Sequence, residues 1–264
     1  MNQNILQFVF VIDKIVLMKK CFKIILFVIL PLISCIGCIK EQQNINYSPV
    51  VIDTTNHNPD TNATKTFTWL ALGDSYTIGQ GVQPSERFPA QIVNVLKAES
   101  LKIADPVYIA TTGWTTSSLI NAITQQNPPK NFDIVTLLIG VNDQYQRMDS
   151  GGYRIRFTQL LNTAITLALG NKKRVFVLSI PDYSVTPFVS ASEKARVSME
   201  IDRFNVINKQ VTVQYNISYT DITSSTRQAA TDATLIASDG LHPSGKEYAK
   251  WAQMLAPIIK KELK

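Results

Sequence analysis

The chain has 264 residues, with 26 Lys or Arg, 20 Asp or Glu, two histidines and three cysteines. This length suits one compact domain with additional segments, because a single hydrophobic core stops growing at roughly 250–300 residues. All three cysteines lie within the first 38 residues, so the rest of the chain has no disulfide, thiolate nucleophile or cysteine-based zinc site. Two histidines do not make a multi-histidine metal site. The composition leaves carboxylate chemistry, or serine chemistry that depends on one histidine, with no cofactor and no metal expected.

Residues 1–38 have the order of a secretory signal peptide that carries a lipidation motif. Lysines at positions 19, 20 and 23 precede the apolar run 24–33, and small residues follow. The segment 32–35 resembles a bacterial lipobox, in which the signal is cut before a cysteine that then carries lipid. We therefore predict an exported protein of the bacterial cell envelope, anchored to the membrane through Cys35 or, alternatively, through Cys38.

Other interpretations of this segment stay open. An uncleaved membrane helix needs about 20 apolar residues, whereas 16 residues separate Lys23 from Lys40. A disulfide between Cys35 and Cys38 is a further alternative. Met18 starts a more usual signal sequence than Met1 does, so the true start codon is open as well.

The charge balance gives no indication of nucleic-acid binding. Residues 1–34 hold four lysines and one aspartate, so removing them lowers the net charge from +6 to +3. This is a mild excess, and no basic stripe is interleaved with aromatic residues.

The composition predicts a polar linker over residues 39–65 and a folded domain over residues 66–264, which carries all the candidate catalytic residues. The linker is rich in Asn, Thr, Gln and Asp, a composition that cannot bury a core. His57 lies within it and is interpreted as a solvated linker histidine. His242 is then the one histidine of the folded domain.

From Thr66 onward, short apolar runs alternate with segments of helical periodicity. The predicted strands are 67–72, 107–110, 134–139, 175–180 and 217–220, and the predicted helices are 153–169, 192–215 and one that follows Ser244. Ser244 and Glu247 have the spacing of a capping box. This alternation favours an α/β fold with a parallel sheet covered by helices on both faces. The active site of such a fold lies beyond the carboxyl ends of the strands.

Residues at these strand ends form a serine-hydrolase set. Serine is a weak nucleophile until an oriented base takes its proton. We predict Ser75 as the nucleophile, His242 as the base and Asp239, three residues before it, as the group that orients the imidazole. The N–H groups of Ser75 and Gly113 and the side-chain amide of Asn142 are predicted to form the oxyanion hole.

Three aspartates at strand ends have more modest predicted roles. Asp74 is expected to support the nucleophile turn or cap its helix. Asp143 either buttresses Asn142 or caps a helix. Asp182 is a weaker alternative partner for His242.

The set resembles the SGNH (GDSL-type) hydrolase family of esterases and acylhydrolases. The matching blocks are Gly73-Asp74-Ser75, Gly113, Gly140-Val141-Asn142-Asp143 and Asp239-Gly240-Leu241-His242-Pro243, in the family's order. The resemblance implies a flavodoxin-like three-layer α/β/α sandwich with a five-stranded parallel sheet in the order 2-1-3-4-5. It also implies the roles given above. Tyr76 departs from the leucine of the family name, and Gly113 lacks the neighbouring Asn or Ser that is often found there.

These patterns predict a serine esterase that works through an acyl-enzyme. Short connections predict an open cleft, which favours small acyl groups or acetyl esters displayed on a glycan. Tyr76, Trp114 and Tyr145 are the candidate substrate contacts. An acyltransferase and a lysophospholipase or thioesterase are alternatives, and a lipid-anchored binding protein without turnover is the alternative from another class. The oligomeric state is left open.

Overall fold

The computed structural model describes residues 65–264. The predicted signal peptide, with Cys35 and Cys38, lies outside the described residues, and so does the predicted linker apart from Lys65.

The described chain alternates strands and helices. Its strands are β1 (Thr66–Phe67), β2 (Trp69–Gly73), β3 (Lys102–Ile103), β4 (Val107–Ala110), β5 (Ile134–Leu138), β6 (Val175–Leu178) and β7 (Ser218–Thr220). Its α-helices are α1 (Ser75–Ile78), α2 (Phe88–Ala98), α3 (Thr116–Gln126), α4 (Val141–Tyr145), α5 (Ser150–Leu167), α6 (Lys194–Gln214), α7 (Thr223–Thr226) and α8 (Gly245–Leu263).

Five strands form one parallel sheet in the order β4-β2-β5-β6-β7. Counted along the chain, this is the predicted order 2-1-3-4-5. Every residue of β2, β5 and β6 is buried, because helices cover both faces of the sheet. Helices α2 and α8 pack together, and α5 packs against both α3 and α6. The predicted three-layer α/β/α fold is confirmed.

The first strand begins later than predicted. Phe67 pairs with Ile103 in a separate two-stranded parallel sheet of β1 and β3. Thr68 separates the two sheets, because its N–H donates to Oδ2 of Asp133 at 3.0 Å instead of to a strand carbonyl. The five-stranded sheet therefore starts at Trp69.

Helix boundaries also differ from the prediction by a few residues. Helix α5 starts at Ser150, since the Asp149 side chain accepts the N–H of Gly152 and caps the helix. At α8, Ser244 accepts the N–H of Glu247. The Glu247 carboxylate instead accepts the indole N–H of Trp251 at 2.8 Å, so half of the predicted capping box is present.

The parallel strands define two edges of the sheet. We call the edge at which the strands end the carboxyl edge, and the edge at which they start the amino edge. None of the helices within residues 65–264 has the length and apolar content that crossing a membrane requires.

Candidate active site

The nucleophile turn connects β2 directly to α1 at the carboxyl edge. Asp74 caps α1, with its Oδ1 accepting the N–H of Tyr76 at 3.0 Å, as predicted. Ser75 is the first residue of the helix, so its N–H has no acceptor within the helix. Gly73 is needed for close packing, because a Cβ there would lie 2.0 Å from Oγ1 of Thr77. The turn thus holds Ser75 at the end of a fully buried strand.

Burial perturbs the carboxyl group beside the nucleophile. Asp74 is completely buried, and loss of hydration raises its pKa from 3.8 to about 8. The nearby Asp143 carboxylate adds to this rise, whereas the N–H of Tyr76 opposes it. Oδ2 of Asp74 has no hydrogen-bond partner within the described chain. This carboxyl is therefore largely protonated at neutral pH.

A loop before α8 joins His242 to Asp239. Nδ1 of His242 lies 2.7 Å from Oδ2 of Asp239. Oδ1 of the same carboxylate accepts the N–H groups of Leu241 and His242, both at 2.9 Å. Partial burial favours a higher pKa for Asp239, but these hydrogen bonds outweigh it and lower the pKa. Asp239 is thus an ionised, fixed acceptor for the imidazole.

His242 and Ser75 line one cleft at the carboxyl edge. His242 is buried, and its ring lies 5.1 Å from the Tyr76 ring, centroid to centroid. Within the described chain no hydrogen bond joins the Ser75 hydroxyl to His242, an arrangement common in ligand-free enzymes whose catalytic contacts tighten on binding. The structure therefore brings the serine and the Asp-His pair to the same cleft.

The predicted oxyanion donors occupy neighbouring loops. Nδ2 of Asn142 donates to the carbonyl of Trp114 at 3.0 Å, and an amide NH₂ has a second hydrogen to offer. Asn142 lines the cleft with Ser75. Gly113 has φ +81° in the turn that Trp114 N–H closes onto the Thr111 carbonyl. No atom lies within 4 Å of where a Cβ would stand, so Gly113 faces open space but does not belong to the cleft lining.

Asp143 ties these two loops together. It accepts the N–H of Thr116 at 2.8 Å and the Thr116 hydroxyl at 2.6 Å. The Arg156 guanidinium completes the cluster, 3.1 Å from Asp143 and 2.7 Å from the Thr116 hydroxyl. Asp143 thus binds the first N–H of α3, which fits the expectation that it caps a helix. The alternative, a direct hydrogen bond to the Asn142 side chain, is not found among the described residues. The partners of Asp143 lie far from it in the sequence, so local sequence patterns do not indicate them.

The Asp182 carboxylate binds residues other than His242. Its carboxylate accepts the N–H of Ser184, the Ser198 hydroxyl at 2.7 Å and Nε of Arg227 at 2.8 Å. Burial alone would raise the pKa of Asp182, but these bonds outweigh it and lower the pKa. The alternative pairing of Asp182 with His242 is wrong, because Asp239 holds that place.

An aromatic cluster forms one wall of the cleft. The rings of Tyr145, Tyr183 and Phe188 lie 6.2–6.4 Å from one another. Tyr145 and Phe188 are about half exposed, at 55% and 51%. The Tyr183 hydroxyl donates to Gln144 at 2.9 Å, and Gln144 donates to Glu200 at 2.7 Å. A polar chain under the cluster thus fixes the buried ring of Tyr183.

The three candidate substrate contacts have different positions. Tyr76 and Tyr145 line the cleft. Trp114 is partly buried against the hydrophobic core and is outside the lining. Tyr183 and Phe188 line the cleft but were not predicted. Tyr183 follows β6 at a strand end, which was an available signal, whereas Phe188 has no local pattern that indicates its position.

The residues of the site offer no metal cage. Within residues 65–264 no three His, Cys, Asp or Glu side chains are grouped as a metal ion requires.

Comparison with known proteins agrees with this geometry. The sequence model of the GDSL-like lipase/acylhydrolase family matches residues 71–250, a range that contains Ser75, Asn142 and His242. No curated protein sequence matches the chain significantly.

Several solved structures share the fold at low sequence identity. The psychrotrophic esterase EstA from Pseudoalteromonas sp. is 20% identical with a TM-score of 0.55, covering 74% of this chain and 98% of its own. The lipase Lip_vut3 from a goat rumen metagenome is 19% identical with a TM-score of 0.60, covering 73% and 97%. The acetylxylan esterase Axe2 from Geobacillus stearothermophilus is 20% identical with a TM-score of 0.54, covering 73% and 94%.

Proposed function

The chain belongs to the GDSL-like lipase/acylhydrolase family of ester hydrolases, and we propose that it cleaves carboxylic esters through a Ser75–His242–Asp239 acyl-enzyme mechanism. The observation that carries the proposal is the 2.7 Å contact between Asp239 and His242 beside the cleft that Ser75 lines. A buried base that is already oriented supplies what a serine nucleophile lacks.

In the acylation step, the Ser75 hydroxyl attacks the ester carbonyl carbon and His242 accepts its proton. Nδ1–H of His242 donates to Asp239, which stabilises the imidazolium that forms. The carbonyl π electrons move onto oxygen, giving a tetrahedral oxyanion. His242 then protonates the leaving alcohol as the C–O bond breaks, and the acyl group remains on Ser75.

In the deacylation step, His242 removes a proton from water, and the resulting hydroxide attacks the acyl carbon. The bond between the acyl carbon and Ser75 Oγ then breaks, His242 returns its proton to Ser75, and the acid is released. Each tetrahedral oxyanion receives hydrogen bonds from Ser75 N–H, Gly113 N–H and the second amide hydrogen of Asn142. Loss of one such donor costs about 2.7–4 kcal/mol of transition-state stabilisation.

The proposed substrates carry a small acyl group, with acetyl esters displayed on a glycan among them. The open cleft supports this choice, since Tyr145 and Phe188 on its wall are about half exposed. Axe2, whose fold this chain shares, is named an acetylxylan esterase, which makes acetylated xylan a concrete substrate to assay.

The proposed location is the bacterial cell envelope, with lipid on Cys35. Metabolic labelling with a radioactive fatty acid tests the anchor. The Cys35→Ser variant is expected to lose the label and the matched Cys38→Ser variant to keep it. The reverse result would move the anchor to Cys38, and no label in the unmodified protein would remove the anchor.

A fluorophosphonate probe tests the nucleophile. The chain from Ile39 onward is expected to react at Ser75, as identified by peptide mapping, and Ser75→Ala is expected to remove the labelling. Ser218→Ala, at the amino edge of the sheet, is the matched control and should react normally. Labelling at another residue contradicts the proposed nucleophile.

The two histidines of the chain provide an internal comparison for the base. His242→Ala should abolish hydrolysis of p-nitrophenyl acetate, whereas His57→Ala, in the predicted linker, should leave it unchanged. Full activity of the His242→Ala variant would exclude His242 as the base.

A further inference from the structure

Basic side chains collect at the amino edge of the sheet, opposite the cleft. We call this surface the basic face. It consists of the Lys and Arg side chains at positions 65, 97, 102, 130, 172–174, 260, 261 and 264. They precede β1, β5 and β6, lie in β3, or end α2 and α8. All of these positions are at the amino edge, because the strands are parallel and these helices run back against them.

Contacts connect most segments of the basic face. The Phe67 ring has the Lys65 ammonium 5.1 Å from its centroid and the Arg174 guanidinium at 5.8 Å. Lys102 is the strand partner of Thr66. Lys260, near the end of α8, pairs with Glu99 just after α2, and the turn before β6 packs against α8.

The charge of the domain is segregated between its two ends. Residues 65–264 hold 21 Lys or Arg and 16 Asp or Glu. The basic face has ten of these cations, whereas four acidic residues share its segments: Glu99, Asp105, Asp133 and Glu262. The positive excess of the domain therefore lies entirely at the amino edge.

Most of this charge faces solvent without a carboxylate partner. Three cations of the face pair with acidic groups: Lys65 with Asp133, Lys97 with Asp105, and Lys260 with Glu99. The other seven have no ion pair with any residue that the structure describes, and six of them are exposed. Unpaired exposed cations create a long-range field that attracts an anionic surface.

The rest of the chain enters the domain at this same face. Lys65, the first described residue, belongs to it, and 29 residues separate it from Cys35. Even a fully extended segment of that length spans at most about 100 Å. The point at which a lipid on Cys35 would be connected to the domain therefore lies on the basic face and not at the cleft edge.

We infer that the basic face docks on an anionic lipid bilayer. Each Lys or Arg near such a surface contributes about 1 kcal/mol, and a lipid chain combined with a basic patch anchors more firmly than either alone. Docking through the amino edge directs the cleft away from the membrane. The esters that the cleft reaches are then those of the aqueous phase or of an envelope polymer, and not bilayer lipids.

A vesicle co-sedimentation assay tests the inference on residues 39–264, which lack the signal and both cysteines. This part is expected to fold on its own, because residues 69–263 form a continuous hydrophobic core within the described chain and solved structures with this fold consist almost entirely of the matching region. The protein should sediment with phosphatidylcholine vesicles that contain 30% phosphatidylglycerol, remain free with pure phosphatidylcholine, and detach in 0.5 M NaCl.

Two triple variants, each of which removes three positive charges, separate the effect of the basic face from the effect of the net charge. Lys172→Gln, Lys173→Gln and Lys261→Gln together are expected to weaken binding on the order of 100-fold. Arg147→Gln, Arg154→Gln and Arg203→Gln, which lie away from the basic face, should leave binding within threefold of the unmodified domain. Both variants should keep esterase activity and thermal stability.

Three results would overturn the inference. They are equal binding to neutral vesicles, binding that persists in high salt, and equal loss in the two triple variants. None of them affects the esterase proposal, which depends on the opposite edge of the sheet.

Discussion

The Asp239 carboxylate contacts both the imidazole ring and the backbone N–H of His242. One carboxylate oxygen lies 2.7 Å from Nδ1, and the other accepts the His242 N–H at 2.9 Å. Asparagine at this position keeps the loop contacts but favours the wrong imidazole tautomer and stabilises no imidazolium. We expect Asp239→Asn to lower kcat for p-nitrophenyl acetate about 10⁴-fold while KM changes little.

The matched control for this change is Asp105→Asn at the amino edge, where the side chain is 94% exposed. Its steady-state constants should equal those of the unmodified enzyme. A decrease of less than tenfold in Asp239→Asn would show that His242 is oriented by something other than this carboxylate.

Asp74 makes the stability of the domain depend on pH. Burial raises the pKa of Asp74 to about 8, compared with 3.8 for an unperturbed carboxyl. The folded state therefore holds a proton that the unfolded chain has lost above about pH 4. The stabilisation by this proton is complete below about pH 4. It decreases as the pH rises from there and is lost once the pH has passed through about 8. Each unit of difference between the folded and unfolded pKa values corresponds to about 1.4 kcal/mol in the free energy of unfolding. The total loss of stability therefore amounts to several kcal/mol.

Asp74→Asn should remove this loss. The amide is neutral at every pH, and its oxygen can still accept the Tyr76 N–H and cap α1. Thermal unfolding between pH 5 and 9 should show the Tm of the unmodified domain falling relative to that of the variant as the pH rises. Parallel curves for the two proteins would mean that Asp74 is already ionised in the fold. Asp105→Asn should follow the unmodified protein.

At the scale of elements, α3 and α4 are joined at their N-terminal ends by two polar contacts. Asn142 donates to the Trp114 carbonyl, and the next residue, Asp143, accepts two hydrogen bonds from Thr116. These contacts fix the distance between the two loops that carry proposed oxyanion donors. Arg156, on α5, neutralises the fully buried Asp143.

Removing Arg156 should therefore affect both stability and turnover. Arg156→Gln leaves the Asp143 charge buried without its counter-ion, a change that typically costs about 3–5 kcal/mol. We expect chemical denaturation to show that loss, and kcat to fall more than KM rises because the donor loops shift. Lysine at position 156 should recover part of kcat, since it restores the charge without the bidentate geometry.

The control for Arg156 is Arg154→Gln, on an exposed position of the same helix. The Arg154 guanidinium donates to the exposed Gln210 side chain and has no ion pair among the described residues, so both stability and kcat should be retained. A loss of stability in Arg156→Gln with unchanged kcat would show that the cluster supports the fold but does not position the donors.

The strands of the five-stranded sheet and the three longest helices were predicted from the sequence, whereas most contacts across elements were not. The apolar runs at 134–139 and 175–180 mark central strands because a strand covered on both faces has no polar positions. Helices α2 and α3 were both missed. Helix α3 has few apolar positions within a polar segment, whereas the buried stripe Phe88, Ile92, Val93 and Leu96 of α2 was an available signal.

The contact between Asp239 and His242 could be predicted because three positions separate them and the described domain has one histidine. Ser75 was a candidate because it closely follows the first apolar run of the folded domain. The partners of Asp143 are 27 and 13 positions away, and no local pattern indicates them.

At the scale of the whole molecule, the sheet separates two surfaces of different chemistry. The carboxyl edge holds the cleft, whose lining contains no Lys, Arg, Asp or Glu among the described residues. The amino edge holds the basic face. We therefore expect an uncharged acyl group to be selected at one end of the domain and the proposed electrostatic attraction to act at the other. Changes to one surface should leave the function of the other intact.

We expect the cleft to favour short acyl groups. Its volume is about 130 Å³, close to the roughly 150 Å³ apolar cavity that holds one benzene molecule. Its apolar walls are Val141, Tyr145, Tyr183, Phe188 and Leu241. Among p-nitrophenyl esters of increasing length, we expect kcat/KM to be highest from two to six acyl carbons and to fall at least tenfold at ten.

Phe188 is the residue through which this limit can be tested, because its ring is half exposed at the wall of the cleft. Phe188→Ala should open the wall and raise kcat/KM for the ten-carbon ester relative to the four-carbon ester. Met199→Ala removes a comparably exposed apolar side chain of α6 that does not line the cleft, and should leave the ratio unchanged. A ratio that is the same in all three proteins would place the acyl group outside the aromatic cluster, against another wall of the carboxyl edge.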